Sequence, residues 1–248
     1  MAKKDRATLK TYFSNGRRPS QDEFADLIDS TLNIIDHGFD KNAQDGFRIA
    51  QIGSSSSLIS FYQDITVKSP VWRMRLDPIT HNLTYEGVAD GDGENYNVLT
   101  LDPSGKVGVG NKEPHYELDV TGTIAASGRI GRNGDKPVYS DGNWYDITDE
   151  LDGCRAYEII AGVGAKGSGK YALLHAFALS TYNGKNNITY HQAHFGSRCN
   201  RLKLKWIGNT HNFKLQLKTA CDYGEKLNIR YYISELWFDP FMGTGQGE

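Results

Sequence analysis

The run Leu-Asp-Pro-Ser-Gly-Lys-Val-Gly-Val-Gly from Leu101 to Gly110, followed by Pro114 and by Leu118-Asp119-Val120-Thr121-Gly122, constrains this chain more than any other feature. Its apolar residues stand singly, two apart, separated by glycines and turn formers. Each piece can make a very short strand but cannot close a core alone. A thin, repetitive segment of this kind buries its apolar groups by stacking on neighbours. The expected neighbours are further copies of the same chain wound around a shared axis, with Leu101, Val107, Val109, Leu118, Val120, Ile124 and Ile130 as the contact residues.

The rest of the composition is that of an ordinary soluble chain: 248 residues, 38% hydrophobic, 23% charged, with 27 glycines. No apolar run approaches the roughly 20 residues that span a bilayer. Met1-Ala2-Lys3-Lys4-Asp5-Arg6 leads into no signal-type segment, so the expectation is a chain made in the cytoplasm, not inserted in a membrane, and carried out only as part of a particle. Cys154, Cys199 and Cys221 are odd in number, widely spaced and free of any Cys-x-x-Cys pair. They read as buried free thiols, with no disulfide framework and no metal site. Charge is asymmetric: residues 1–153 hold 16 Lys and Arg against 24 Asp and Glu, a net of −8, whereas residues 154–248 hold 12 against 6, a net of +6. A basic C-terminal half attracts anionic polymers, and charge alone does not choose among acidic glycans, lipopolysaccharide phosphates and nucleic acid.

Residues 1–46 read as a helical attachment segment. Ser20 precedes Gln21-Asp22-Glu23, so its hydroxyl can cap the first-turn amides while Glu23 reaches back. Phe24, Leu27, Ile28, Leu32 and Ile35 then fall on one stripe, and Gly38 supplies a stop. A helix of about fifteen residues is marginal alone, so this stripe is the expected docking surface, against the protein's own domain, sister chains or a larger assembly.

From residue 47 to 133 the period changes to two. Leu58 to Gln63 and Trp72 to Leu76 alternate as strands. Arg75-Leu76-Asp77-Pro78 with His81 to Gly87 parallels Thr100-Leu101-Asp102-Pro103 with Gly105 to Gly110, at an offset of 25 residues. Each copy is a strand, an Asp-Pro turn and a returning strand. The acidic loop Asp90 to Glu94 lacks calcium-loop spacing and reads as solvated. No cofactor or metal is expected anywhere in the chain.

The Leu101–Gly122 pattern with Ile124, Ser127, Gly128 and Ile130 resembles the shaft element of phage tail fibres and of tail-fibre-like proteins of contractile injection systems. The segment from Tyr12 to Asp29 resembles the leading segment of such proteins. The resemblance implies a homotrimer that docks on a baseplate or other particle protein through its N-terminus and ends in a receptor-binding tip.

Residues 134–153, polar and rich in Gly and Asp, with Trp144 and Tyr145, read as a linker. Residues 154–248 then read as a β-sandwich, of jelly-roll type, with strands over 157–163, 171–182, 188–195, 201–207, 212–219 and 227–238. The sharpest alternation is Arg201-Leu202-Lys203-Leu204-Lys205-Trp206 with Phe213-Lys214-Leu215-Gln216-Leu217-Lys218. It sends Leu202, Leu204, Trp206, Phe213, Leu215 and Leu217 to the core and presents Arg201, Lys203, Lys205, Lys214 and Lys218 together. That cationic face is the candidate contact surface for a cell-surface glycan or protein. Lysines on an outward strand face also serve simply to keep it soluble. Tyr182, Tyr190, Tyr223, Tyr231 and Tyr232 are the aromatic residues able to stack on sugars.

Catalytic patterns are missing. Gly164 to Lys170 almost spells a phosphate loop, but Tyr171 stands where a hydroxyl ligand belongs and a strand follows it in place of a helix. His191 and His194 fall on opposite faces of a strand. Glu158, Asp222, Glu225, Glu235 and Asp239 are the acids from which a glycosidase pair would have to be drawn. The sequence therefore points to a mainly β, non-enzymatic fibre protein with a short N-terminal helix, an intertwined neck and shaft, and a sandwich tip. A structural connector whose tip binds a sister particle protein is the alternative, and a glycan-degrading enzyme the weaker one.

Overall fold

The computed structural model describes residues 4–31, 33–64, 66–89, 95–224 and 227–243, without the side chains of Ile34 and Ile35. It is mainly β and divides into two compact units, Met1–Ala125 and Ala126–Glu248.

The first unit opens with α1 (Arg6–Tyr12), α2 (Gln21–Asp29) and the single turn α3 (Ile34–His37). The reciprocal cap expected at Ser20 is present: Glu23 N donates to Ser20 Oγ at 3.2 Å and Ser20 N to Glu23 Oε2 at 2.9 Å. The helix is shorter than its apolar stripe suggested. It stops at Asp29, where Thr31 takes the Ile28 carbonyl with both its backbone N at 3.1 Å and its Oγ1 at 2.8 Å. Such side chains compete for the carbonyls that a continuing helix would use. Helix α1 carries no apolar stripe to reveal it; it is started by Asp5, whose Oδ1 accepts from Ala7 N and Thr8 N. A hairpin of β1 (Phe39–Asn42) and β2 (Gly46–Ile49) follows, crossing the expected boundary at residue 46.

Six further strands form one sheet in sequence order: β3 (Ser57–Phe61), β4 (Trp72–Leu76), β5 (Leu83–Gly87), β6 (Tyr96–Leu101), β7 (Val107–Val109) and β8 (Leu118–Val120). The repeat is visible as two hairpins, β4–β5 and β6–β7. Each Asp-Pro turn is tied by its aspartate. Asp77 Oδ1 accepts from Thr80 N and Ile79 N, and Asp102 Oδ1 accepts from the Ser104 hydroxyl and from Ser104 N. These bonds hold both carboxyl groups below the usual carboxylate range. β8 pairs parallel with β7, Val107 opposite Leu118 and Val109 opposite Val120, so the motif folds back onto its own sheet. The acidic loop 90–94 lies outside the described residues.

What this unit buries is unusual. Its buried residues, among those described, are Pro70, Asn82, Glu86, Gly87, Thr100, Gly108 and Pro114. Prolines aside, every buried hydrophobic side chain described lies instead in the second unit.

The second unit contains β9 (Arg132–Asn133), β10 (Tyr145–Asp146), β11 (Cys154–Gly164), β12 (Tyr171–Thr181), β13 (Asn187–Phe195), β14 (Leu202–Asn209), β15 (Asn212–Thr219) and β16 (Arg230–Glu235). They make a five-stranded sheet, β13-β12-β11-β16-β9, and a three-stranded sheet, β10-β15-β14. Ile159, Ala161, Leu174 and Ala176 from the first meet Leu202, Leu215 and Leu217 from the second in one core. The sandwich follows the alternation in the sequence; the hairpins β11–β12–β13 and β14–β15 are completed by the long-range pairs β11–β16, β9–β16 and β10–β15, giving five strands against three, without the two four-stranded sheets of a jelly roll.

Two sequence expectations change here. Residues 134–153 are not a linker. Val138 and Ile147 are buried in the core, and backbone bonds Ile229 N to Val138 O, Ser140 N to Leu227 O and Ile147 N to Leu215 O lace the segment to the sandwich. Tyr145 and Leu151 of the same segment pack against that core as well. Of the cysteines, only Cys154 is a buried free thiol; Cys199 and Cys221 form a disulfide, their Cα atoms 5.4 Å apart. The β14–β15 hairpin brings its two flanks together, which spacing along the chain does not reveal.

Candidate functional site

The cationic face is built by the register of β14 and β15. Lys203 pairs with Lys218, Lys205 with Gln216 and Ile207 with Lys214, while Leu202, Leu204 and Trp206 lie with Thr219, Leu217 and Leu215 on the core side. Phe213, Leu215 and Leu217 are fully buried, anchoring the hairpin. Its tight end requires glycine: Gly208 has φ +121°, and a Cβ there would lie 2.3 Å from Asn212 O.

Onto this face comes an indole. Pairing of Tyr145 with Leu217 and Asp146 with Gln216 sets β10 beside β15, and Trp144 immediately precedes it. Lys205 Nζ lies 4.4 Å and Lys218 Nζ 4.9 Å from the Trp144 ring centroid, both within cation–π range. Lys218 also donates to Gly142 O at 3.2 Å. Lys214 Nζ is 3.3 Å from Asp146 Oδ2 and 3.7 Å from Glu150 Oε1. The four lysines thus share one side, with Arg201 just before β14, yet three of them are engaged within the chain. Arg201 and Lys203 have no acidic partner among the described residues.

The border of the site is tuned by hydrogen bonds. Tyr145 Oη donates to Asp141 Oδ2 at 2.6 Å, which pushes the phenol up to about 12 and holds the Asp141 carboxyl low. Gln216 Nε2 donates to Asp146 Oδ1 at 2.7 Å, and this bond, with Lys214 beside it, lowers the Asp146 carboxyl. An indole flanked by ammonium groups, with two more cations unpaired, can stack on a sugar ring while attracting an anionic substituent. Trp144 was the residue the sequence concealed, because a polar Gly-Asp segment surrounds it. Of the tyrosines named from sequence, Tyr223 and Tyr231 are buried, Tyr190 and Tyr232 belong to the five-stranded sheet, and Tyr182 packs edge-on against His211 at the turn of the β14–β15 hairpin.

The other predicted residues lie as follows. In the helical segment Phe24 and Ile28 are exposed, Leu27 is half-buried, and Phe24 packs edge-on against Phe13. Leu32 and the Ile35 side chain lie outside the described residues. Among the shaft residues Leu101, Val109, Leu118, Ile124 and Ile130 are exposed and Val107 and Val120 half-buried.

The acids considered for catalysis are occupied or dispersed. Glu158 accepts from Arg129 Nη2, at 2.9 Å to each oxygen, and lies 2.9 Å from His175 Nε2; Glu235 pairs with Arg155. Glu225 lies outside the described residues. The near-phosphate loop is a turn between β11 and β12, where Gly167 N donates to Tyr171 Oη and Lys170 Nζ to Tyr223 O. Among the described residues no group of three or more His, Cys, Asp or Glu is placed to hold a metal ion. No described helix is long and apolar enough to cross a membrane.

The sequence matches no protein-family profile and no curated protein. Among solved structures, the tailspike protein of Acinetobacter phage vB_ApiP_P1 aligns with 10% identity and a TM-score of 0.28, over 50% of this chain and 24% of the tailspike chain. The aligned part is thus about a quarter of that tailspike's length, and a likeness at this level assigns neither fold nor function.

Proposed function

We propose that this chain is a non-enzymatic, homotrimeric, tail-fibre-like protein of a phage or contractile injection particle. It docks through its N-terminal helical segment and contacts a cell-surface glycan through the Trp144 face of its C-terminal sandwich. The observation that carries this reading is the contrast between the units. Prolines aside, the N-terminal one buries no hydrophobic side chain among its described residues, and its shaft-like residues Leu118 and Ile124 stand exposed. Exposed apolar residues in a repetitive thin segment call for cover from sister chains. The engagement of Glu158 and Glu235 in ion pairs supports a binding role over glycan hydrolysis.

The test has two parts. Light scattering on the full chain should report three copies of 27.7 kDa; a monomer at high concentration refutes the fibre reading. On a glycan array, Trp144→Ala and Lys203→Glu should each abolish binding to acidic saccharides. A trimer that binds no glycan or cell but captures a purified baseplate protein through the sandwich is a structural connector, and sugar release from a polysaccharide would mark an enzyme.

A further inference from the structure

β12 is apolar on both faces save for His175, which lies on the outward one opposite His191. Ala172, Leu174, Ala176 and Ala178 enter the core, while Tyr171, Leu173, Phe177 and Leu179 point away from it and are exposed. A strand that reads apolar on both sides is one covered on both sides. The register extends this second apolar surface across the sheet: Tyr171 lies opposite Phe195, Leu173 between Gly162 and Ala193, and Leu179 opposite Ala156. Beside the glycines a hollow of about 530 Å³ opens, bordered by Gly162, Gly164, Leu173, Phe195 and Arg230. The opposite outer face of the sandwich carries lysines instead.

Even the charge on this apolar surface is arranged for exclusion of water. Glu158 belongs to it, opposite Phe177, yet is only 7% exposed, with its carboxylate held by Arg129 and His175. A paired and hydrogen-bonded carboxylate can be covered without leaving an uncompensated buried charge.

We infer that the outer face of the five-stranded sheet is where sister copies of this chain pack against one another in the C-terminal unit, leaving the Trp144 face outward. The inference rests on the trimer reading and adds to it the surface used by the sandwich. Tyr171, Leu173, Phe177, Leu179 and Phe195 average about half exposed, so at about 200 Å² each they offer about 500 Å² of apolar area. With Ile160, Ala156 and Ala193 around them, the face approaches the roughly 800 Å² that one partner contributes to a standard interface. A second copy is the fitting occupant because the chain enters this unit through Ile130 and β9, which is the edge strand of this same sheet. Copies joined along the preceding segment would hold their sandwiches at an effective concentration in the roughly millimolar range, where a modest apolar face suffices.

The experiment uses the full chain with Leu173→Cys or Lys203→Cys, labelled by a maleimide in the native state, with mass followed by light scattering. The thiol introduced by Leu173→Cys should react about tenfold more slowly than the one introduced by Lys203→Cys while the mass is that of three chains. Adding Phe177→Glu to the Leu173→Cys variant should restore fast labelling, since a buried carboxylate in the interface is expelled. Equal rates in a trimer overturn this inference and leave the trimer standing; a monomer overturns both. Slow labelling that persists after Phe177→Glu also overturns it, because the protection then comes from within one copy.

Discussion

Leu118→Ala separates a covered neck from a bare one. In the single chain Leu118 is 61% exposed, at the start of an edge strand held only by its parallel pairing with β7. A lone exposed leucine truncated to alanine changes stability by no more than about 0.5 kcal/mol. If sister copies cover it, the remaining exposure disappears on assembly, and its loss costs about 1–2 kcal/mol per copy at about 25 cal/mol per Å². Three copies unfolding together would lose about 3–6 kcal/mol. Thermal unfolding followed by circular dichroism at two widely separated protein concentrations measures this directly. The wild type should melt higher at the higher concentration, as linked assembly requires, and Leu118→Ala should lower both midpoints. A variant that melts with the wild type at both concentrations would show that the neck sheet stands uncovered, and the case for sister chains would fail with it.

Leu217→Ala, in the central strand of the three-stranded sheet, should cost about 3–5 kcal/mol by denaturant unfolding, because its side chain is fully buried between the sheets. Tyr145→Phe should flatten both limbs of the pH–stability curve. The phenol, raised to about 12, contributes stability that is complete below its ordinary value of about 10 and is lost as pH rises through about 12. The lowered Asp141 carboxyl contributes above about pH 4 and loses that contribution as pH falls through its folded value; a curve unchanged by the substitution would contradict the Tyr145–Asp141 bond. Reduction of Cys199–Cys221, 22 residues apart, should cost about 3 kcal/mol through the regained freedom of the unfolded chain, read as a lower midpoint in reductant that Cys199→Ser reproduces without it.

The sandwich was legible because its strands alternate over eight to eleven residues, long enough for period two to stand out, as in Lys203 to Trp206 against Phe213 to Lys218. The Asp-Pro hairpins were legible through their repeated turn chemistry. Short elements escaped: α1 has seven residues, and β1 and β2 have four each. Val138 and Ile147 are single apolar residues among polar ones, so only their tertiary setting reveals the segment as part of the core. The alternation of β14 and β15 stands in the sequence, but the engagement of Lys214 by Asp146 and Glu150, and of Lys205 and Lys218 by the Trp144 ring, depends on β10 pairing with β15, a contact about 70 residues distant in sequence. The disulfide was hidden for the same reason.

A sheet that buries Thr100, Glu86 and Asn82 where other sheets bury leucine and valine has a calorimetric consequence. Unfolding it from a lone chain hydrates little new hydrocarbon and should add little to the heat-capacity step, whereas the sandwich contributes an ordinary step for its size. A scan of the dilute protein would then record chiefly the C-terminal unit. On the proposed trimer, a second endotherm that climbs in temperature as the sample is concentrated would be the signature of this sheet gaining cover from sister chains.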